Sequence, residues 1–155
     1  MRFDFLFLGK TKKSYLAEGI EDFRLRLQHF AQVEVKILKE IKPGRKTDRQ
    51  IKEEEAAILL SHLPESGINL VLDPGGKQLS SEKLSDQLQK WEERGTRRIS
   101  VIIGGPLGLS ESILAKADQV LSLSKMTFTH EMARMVIMEQ LYRAYQIRAN
   151  TGYHK

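Results

Sequence analysis

Three stretches of this chain place reactive or permissive residues just after apolar runs. The first is Leu72-Asp73-Pro74-Gly75-Gly76-Lys77, the second Gly104-Gly105-Pro106-Leu107-Gly108, the third Leu121-Ser122-Leu123-Ser124-Lys125-Met126-Thr127-Phe128. In an open sheet of parallel strands, ligands bind beyond the carboxyl ends of the strands, so three such ends mark one candidate pocket. Glycines at 104, 105 and 108 let backbone approach a ligand closely and leave amides free to bond it. They also suit a tight strand-to-helix turn, and spacing alone leaves both readings open. The loop is not a dinucleotide fingerprint, since G-x-G-x-x-G is missing and the loop does not follow the first strand. It is not a P-loop, because no Gly-Lys-Ser/Thr follows. The serines at 122 and 124 lack the Gly-x-Ser-x-Gly elbow of a serine hydrolase.

The four histidines are His29, His62, His130 and His154. No pair has metal-ligand spacing on one helix and no carboxylate cluster joins them, so no metal site is expected. His29 and His62 fall near helix ends, where surface positions are expected. His130 opens a helix, and His154 lies in the short tail Asn150 to Lys155. Glu139 and Arg143 are four residues apart on that last helix and can pair, either as a structural bond or to orient Arg143 toward a ligand.

These groups need elements to hold them. Phe3, Phe5 and Phe7 alternate with Leu6 and Leu8 on the opposite face, which describes a strand buried on both sides. Helical spacing follows over Tyr15 to Phe30, then a strand through Val33, Val35 and Ile37. Thr47-Asp48-Arg49-Gln50 fits a capping box for a helix to about His62. Ile68 to Leu72 is a third strand. A helix capped by Ser80 or Ser81 runs to about Arg94, with Gly95 in the C′ position. Ile99 to Ile103 is a fourth strand. Ser110 can cap a short helix to about Ala117, and Val120 to Ser124 is a fifth strand. A long helix from Thr129 or His130 to Ala149 closes the order. Alternation of strand and helix throughout gives an α/β fold with a mainly parallel sheet and helices on both faces. One domain of 155 residues accommodates it. The final helix is apolar nearly all round at Met132-Ala133-Arg134-Met135-Val136-Ile137-Met138, so both its sides must be covered, by the core alone or by the core and a partner subunit.

Composition narrows the function classes. There is no cysteine, which excludes disulfides, thiolate zinc sites and thiol nucleophiles. No apolar run approaches the ~18 residues of a membrane helix, and no signal pattern opens the chain, so a cytoplasmic location is expected. The net charge of +5 is uneven. Residues 1–64 carry 13 basic and 10 acidic groups, 65–124 carry 7 and 8, and 125–155 carry 5 and 2. Two basic ends flank a nearly neutral middle. Ordinary solubility explains this as well as a polyanion held around a neutral pocket does.

Taken in order, several blocks carry a resemblance. They are Leu72-Asp73-x-x-Gly76-Lys77 with Ser80-Ser81-Glu82, then Ile103-Gly104-Gly105-x-x-Gly108-Leu109-Ser110. Leu121-Ser122-Leu123-Ser124-x-Met126-Thr127-Phe128-x-His130 follows, then Glu139-Gln140-Leu141-Tyr142-Arg143-Ala144 and the terminal Tyr153-His154-Lys155. Across its full length the chain resembles the ribosomal RNA large subunit methyltransferase H family, the smallest SPOUT methyltransferases. The resemblance implies a SPOUT fold with a deep C-terminal trefoil knot, a homodimer with its active site near the subunit interface, and S-adenosylmethionine as cofactor. It implies methylation of N3 of a pseudouridine in 23S ribosomal RNA on the assembled ribosome. Leu72, Gly104, Gly105, Ser124, Lys125, Met126, Thr127, Phe128, Thr129 and His130 would bind the donor. Arg143, Tyr153, His154 and Lys155 would lie at the methyl-transfer site. One departure is Gly152, where the family often has proline. It implies a looser tail in the free protein.

The N3–H of a pseudouridine is protonated near neutrality, so a group must take the proton or stabilise the anion. His154 suits a general base by its ordinary pKa, and equally suits orienting RNA. Arg143 or Lys155 suits stabilising charge on the uracil carbonyls. The expected RNA surface joins Lys10, Lys12, Lys13, Arg24, Arg26 and Arg45 to the basic C-terminus. Two other classes compete. A non-catalytic RNA- or ribosome-binding module would keep the basic ends but need no donor pocket. A small nucleotide- or flavin-binding protein would need a phosphate motif that is missing.

Overall fold

The computed structural model describes residues 1–153. Five strands, β1 (Arg2–Leu8), β2 (Gln32–Leu38), β3 (Ile68–Gln78), β4 (Arg98–Ile103) and β5 (Gln119–Ser122), form one sheet in the order β2-β1-β4-β3-β5. Every neighbouring pair is parallel. Helices α1 (Ser14–Leu27), α2 (Asp48–Ser61), α3 (Ser81–Glu93), α4 (Glu111–Leu114) and α5 (His130–Arg148) connect and follow the strands.

The two-faced pattern of β1 sets the layers. Phe3, Phe5 and Phe7 enter one core with Leu27, Leu88, Ile137 and Leu141, on the face covered by α1, α3 and α5. Leu6 and Leu8 enter the other, with Ala56, Leu59, Ile102 and Ile113 from β4, α2 and α4. Burial of several such large side chains, at about 1.5–3 kcal/mol each, drives the sandwich together. At the other end of β1, Asp4 is buried between Arg2 and Arg98, its Oδ1 accepting from Arg2 Nε at 2.8 Å. Burial opposes ionisation of this carboxyl, but the two guanidinium groups outweigh it and hold its pKa below the usual 3.8.

The local signals act as expected at most helix starts. Thr47 accepts from Gln50 N–H, and the Gln50 side chain accepts from Thr47 N–H, completing the capping box of α2. Ser80 caps α3, and Gly95 follows it with φ +84°. Thr129, not His130, caps α5 by accepting from Met132 N–H.

Several elements depart from the expected bounds: α1 ends at Leu27 rather than Phe30, and β5 at Ser122 rather than Ser124. Helix α4 is also shorter, ending at Leu114, and Ser110 bonds Ser112 rather than capping it. Strand β3 does not stop at Leu72. It bulges between Leu72 and Lys77 and resumes pairing, so that both residues stand opposite Leu121 of β5. Pro74, with no N–H, sits in the interruption. Helix α5 lies on the sheet between α1 and α3, so chain neighbours cover both of its flanks. Met132, Met135 and Val136 are nonetheless only half-buried within the one chain.

Candidate functional site

Adjacent strands β1 and β4 send their chains to opposite faces of the sheet, β1 into α1 and β4 into α4. A crevice opens where neighbouring connections diverge in this way. Here a pocket of about 700 Å³ lies at the carboxyl edge. That size suits a nucleoside-sized ligand. One wall is the end of β3 (Leu72, Asp73, Pro74). A second is the glycine turn from Gly104 to Leu109. A third runs from Leu121 through Phe128 into the start of α5, and Lys13, Tyr15 and Leu16 close the fourth side.

The side-chain directions of Gly104 and Gly105 explain why glycine stands there. A Cβ on Gly104 would lie 2.9 Å from Leu109 Cγ, and one on Gly105 would lie 3.3 Å from Glu55 Oε2. Protein atoms fill the space where side chains would go. The tight-turn reading accounts for these contacts, and the same two glycines line the pocket. Glu55, buried beneath the turn, is pushed up by burial, against the Ile41 N–H that bonds it and helped by nearby Glu40.

The third wall is built by local hydrogen bonds. Ser122 Oγ donates to Ser124 O at 3.0 Å, and Ser124 Oγ accepts from Met126 N–H at 2.9 Å. These bonds fold the chain after β5 into a turn that lines the pocket. Met126 is 80% exposed, and Tyr15, Leu107 and Phe128 are also exposed around the mouth. His130 borders the pocket as a neutral imidazole, because burial and the nearby Arg134 guanidinium push its pKa down, against Glu131 and Glu40. Of the residues expected to hold a donor, Leu72, Gly104, Gly105, Ser124, Met126, Thr127, Phe128, Thr129 and His130 line this pocket. Lys125 does not. It points outward on an exposed turn.

Arg143 and Tyr153 are elsewhere. Arg143 lies 13 positions beyond His130 on the same continuous helix, about 20 Å along its axis at ~1.5 Å per residue. Its Nε and Nη2 donate to Glu139 Oε1 at 2.9 and 2.6 Å, and its guanidinium stacks on the Tyr153 ring at 4.8 Å. Tyr153 packs edge-on against Tyr142 at 5.0 Å. Gly152 has φ +77°, which proline at φ near −65° cannot adopt, so the departure at 152 helps turn Tyr153 back onto α5. His154 and Lys155 lie outside the described residues.

The expected cationic surface is also rearranged. Arg24 and Arg26 are bound by Glu21 and Asp22 on their own helix. They offer less free charge than a residue count suggests. The wall formed by Lys13, Tyr15 and Leu16 escaped the sequence reading, which assigned Lys13 to the RNA surface and not to the donor pocket. The run of lysines after Gly9 was the available signal. Among the described residues, no three His, Asp or Glu side chains converge as a metal site, and no helix is long and apolar enough to cross a membrane.

A family profile described as "Predicted SPOUT methyltransferase" matches residues 1–154. The chain is 50% identical over its full length, and that of the relative, to a protein of Desulfotalea psychrophila named ribosomal RNA large subunit methyltransferase H. It is 42% identical to a protein of that name from Christiangramia forsetii, over 95% of this chain and 94% of the relative. Against a third, from Bifidobacterium animalis subsp. lactis, it is 39% identical over the whole of both.

Proposed function

The chain belongs to the SPOUT methyltransferases, within the ribosomal RNA large subunit methyltransferase H family, and from that premise we propose that it methylates large-subunit ribosomal RNA. The donor is S-adenosylmethionine and the target is N3 of a pseudouridine in 23S RNA on the assembled ribosome. The family reading also carries a deep C-terminal trefoil knot, a homodimer and a cytoplasmic location. The observation that carries the proposal is the pocket at the carboxyl ends of β3, β4 and β5, walled by nine of the ten residues expected for a donor.

The pocket fits that donor on its own chemistry. Leu72, Ile103, Leu109 and Leu121 give an apolar slot for a base, and the turn after β5 borders it. Asp73 supplies a carboxylate, and the neutral His130 adds no charge to oppose a cationic sulfonium. When bound, S-adenosylmethionine would supply a methyl group to a nitrogen nucleophile by in-line displacement, the N–C bond forming as the S–C bond breaks and the neutral thioether leaves. The protein must then position the base and manage its proton. Arg143, kept charged and aimed by Glu139, stabilises negative charge on the uracil carbonyls. His154 accepts the N3 proton or orients the RNA.

Because about 15 Å of helix separates Arg143 from Ala133, the nearest pocket residue of its own helix, the complete site uses the pocket of one protomer and the Arg143–Tyr153 end of its partner. The exposed apolar rim at Tyr15, Met126 and Phe128 is the surface the partner covers. The test is transfer of labelled methyl from S-adenosylmethionine to ribosomes lacking the modification, with nucleoside mass spectrometry of the product. Methylpseudouridine in the RNA is expected. Absence of any transfer, with ribosomes from cells lacking this gene unchanged in methylpseudouridine, overturns the assignment.

A further inference from the structure

The most heavily buried cation among the described residues does not itself line the pocket. Arg134 of α5 is fully buried. Its Nη2 donates to Leu8 O at 2.7 Å, and its Nη1 donates to Gly9 O and Thr11 Oγ1, both at 3.1 Å. Its guanidinium lies 4.6 Å from the centre of the Phe7 ring. One turn earlier, the Glu131 carboxylate accepts from the Lys12 backbone N–H. Both side chains of α5 therefore grip the same segment, the loop between β1 and α1.

Burying a guanidinium carries a large desolvation cost, and an apolar side chain of similar volume gives equal or greater stability. Stability alone does not account for arginine here. The contacts specify a shape instead. They use the backbone of the loop and the Thr11 hydroxyl, and they leave the side chains of Lys10, Lys12 and Lys13 outside and exposed. Lys12 lies 3.7 Å from Glu40, whereas Lys10 and Lys13 have no carboxylate partner among the described residues. The first turn of α1 adds no acidic residue. Lys13 itself stands on the pocket wall.

We infer that Arg134 and Glu131 are positioning residues that fix the Gly9–Lys13 loop so that Lys10 and Lys13 hold RNA phosphates at the mouth of the donor pocket. The inference rests on the proposed function, since it names where that substrate's backbone lies. Preorganised lysines hold a strand in register without reading its sequence. A loop fixed from beneath loses less freedom on binding than a floppy one.

The test uses the full-length protein and ribosomes lacking the modification, with magnesium fixed and monovalent salt varied. For Lys10→Ala/Lys13→Ala, the ribosome Kd is expected to rise about tenfold and the slope of log K against log salt to fall by about 2. The donor Kd from calorimetry is expected to change less than the ribosome Kd. Glu131→Ala is expected to raise KM for ribosomes more than it lowers kcat, and Glu131→Gln to restore it, because an amide oxygen still accepts from Lys12 N–H. An unchanged ribosome Kd and salt slope in the lysine variant overturns the inference, and so does a loss that falls on donor affinity instead. Should the parent protein transfer no methyl while the lysine variant still loses ribosome affinity, the proposed function fails and the phosphate surface stands.

Discussion

Gly76 offers the sharpest test of how the fold shapes the pocket. A Cβ added there would lie 2.7 Å from the carbonyl carbons of Val120 and Leu121 and 2.8 Å from Leu121 N. Ordinary carbon contacts fall at about 3.5–4.0 Å, so Gly76→Ala creates an overlap of about 0.8 Å or more. The atoms it meets are backbone and cannot rotate away. Leu121 is held by pairing with both Leu72 and Lys77, so relief requires β5 to move as a unit. Overpacking costs about 1–3 kcal/mol where side chains give way, and the upper end applies to backbone. At about 2–4 °C per kcal/mol for a domain of this size, Tm should fall by about 6–12 °C. Moving β5 also moves Leu121 to Ser124, which line the pocket, so donor affinity should fall in the folded variant. Gly95→Ala is the control. Its φ of +84° strains any other residue, but no atom lies within 4 Å of the added Cβ. It should cost about 1–2 kcal/mol and leave donor binding alone. Thermal denaturation and calorimetry with S-adenosylmethionine read both quantities. If Gly76→Ala melts within about 2 °C of the parent and binds donor equally, the close crossing of β3 and β5 does not hold the pocket in shape.

Asp4→Asn should cost about 1–3 kcal/mol at pH 7, discounted because both arginines reach solvent. Since the folded pKa of Asp4 lies below 3.8, its contribution is full above that value and is lost as pH falls through the folded pKa. Chemical denaturation should therefore show the gap between parent and variant closing below about pH 4; a gap constant down to pH 2 contradicts the ion-pair account. Glu55 has the opposite sign. Its folded pKa is raised, so the parent loses stability as pH climbs from 4.5 through the folded value. Glu55→Gln should abolish that slope while keeping the acceptor for Ile41 N–H, and a parental slope in the variant refutes it. Mixing two inactive proteins, Ser124→Trp and Arg143→Ala, should return about a quarter of parental activity through heterodimers with one complete site; no recovery means each chain uses its own Arg143. Finally, His154→Ala in single-turnover methylation should flatten the acid limb of the pH–rate profile, and an unchanged rate and profile removes the base role.

The difference between what was and was not legible in the sequence follows from the range of the interactions involved. Thr47 with Gln50, Ser80 with Lys83 and the alternation of β1 are satisfied within a few residues, and each element formed where its signals lie. The second half of β3 escaped because Pro74-Gly75-Gly76 is locally a turn. Only the approach of Val120 and Leu121, over forty positions later, makes it a strand edge. The Lys13–Tyr15 wall escaped for a similar reason, since it depends on which face of the sheet the chain crosses after β1. The open alternatives for α5 have another source. Hydrophobicity records that a helix is covered, but not by which chain, and Phe23 and Leu84 from α1 and α3 lie in the same core. Yet α5 also carries the most useful metric information in the sequence. A helix is a ruler, and His130 and Arg143 stand 13 residues apart on one without a break. A donor beside His130 and an Arg143 proposed to act on the base cannot be brought together within one chain by a rigid rod that holds the two residues about 20 Å apart. The half-buried Met132, Met135 and Val136 keep an apolar argument for a second subunit, and the length of the helix adds a geometric one.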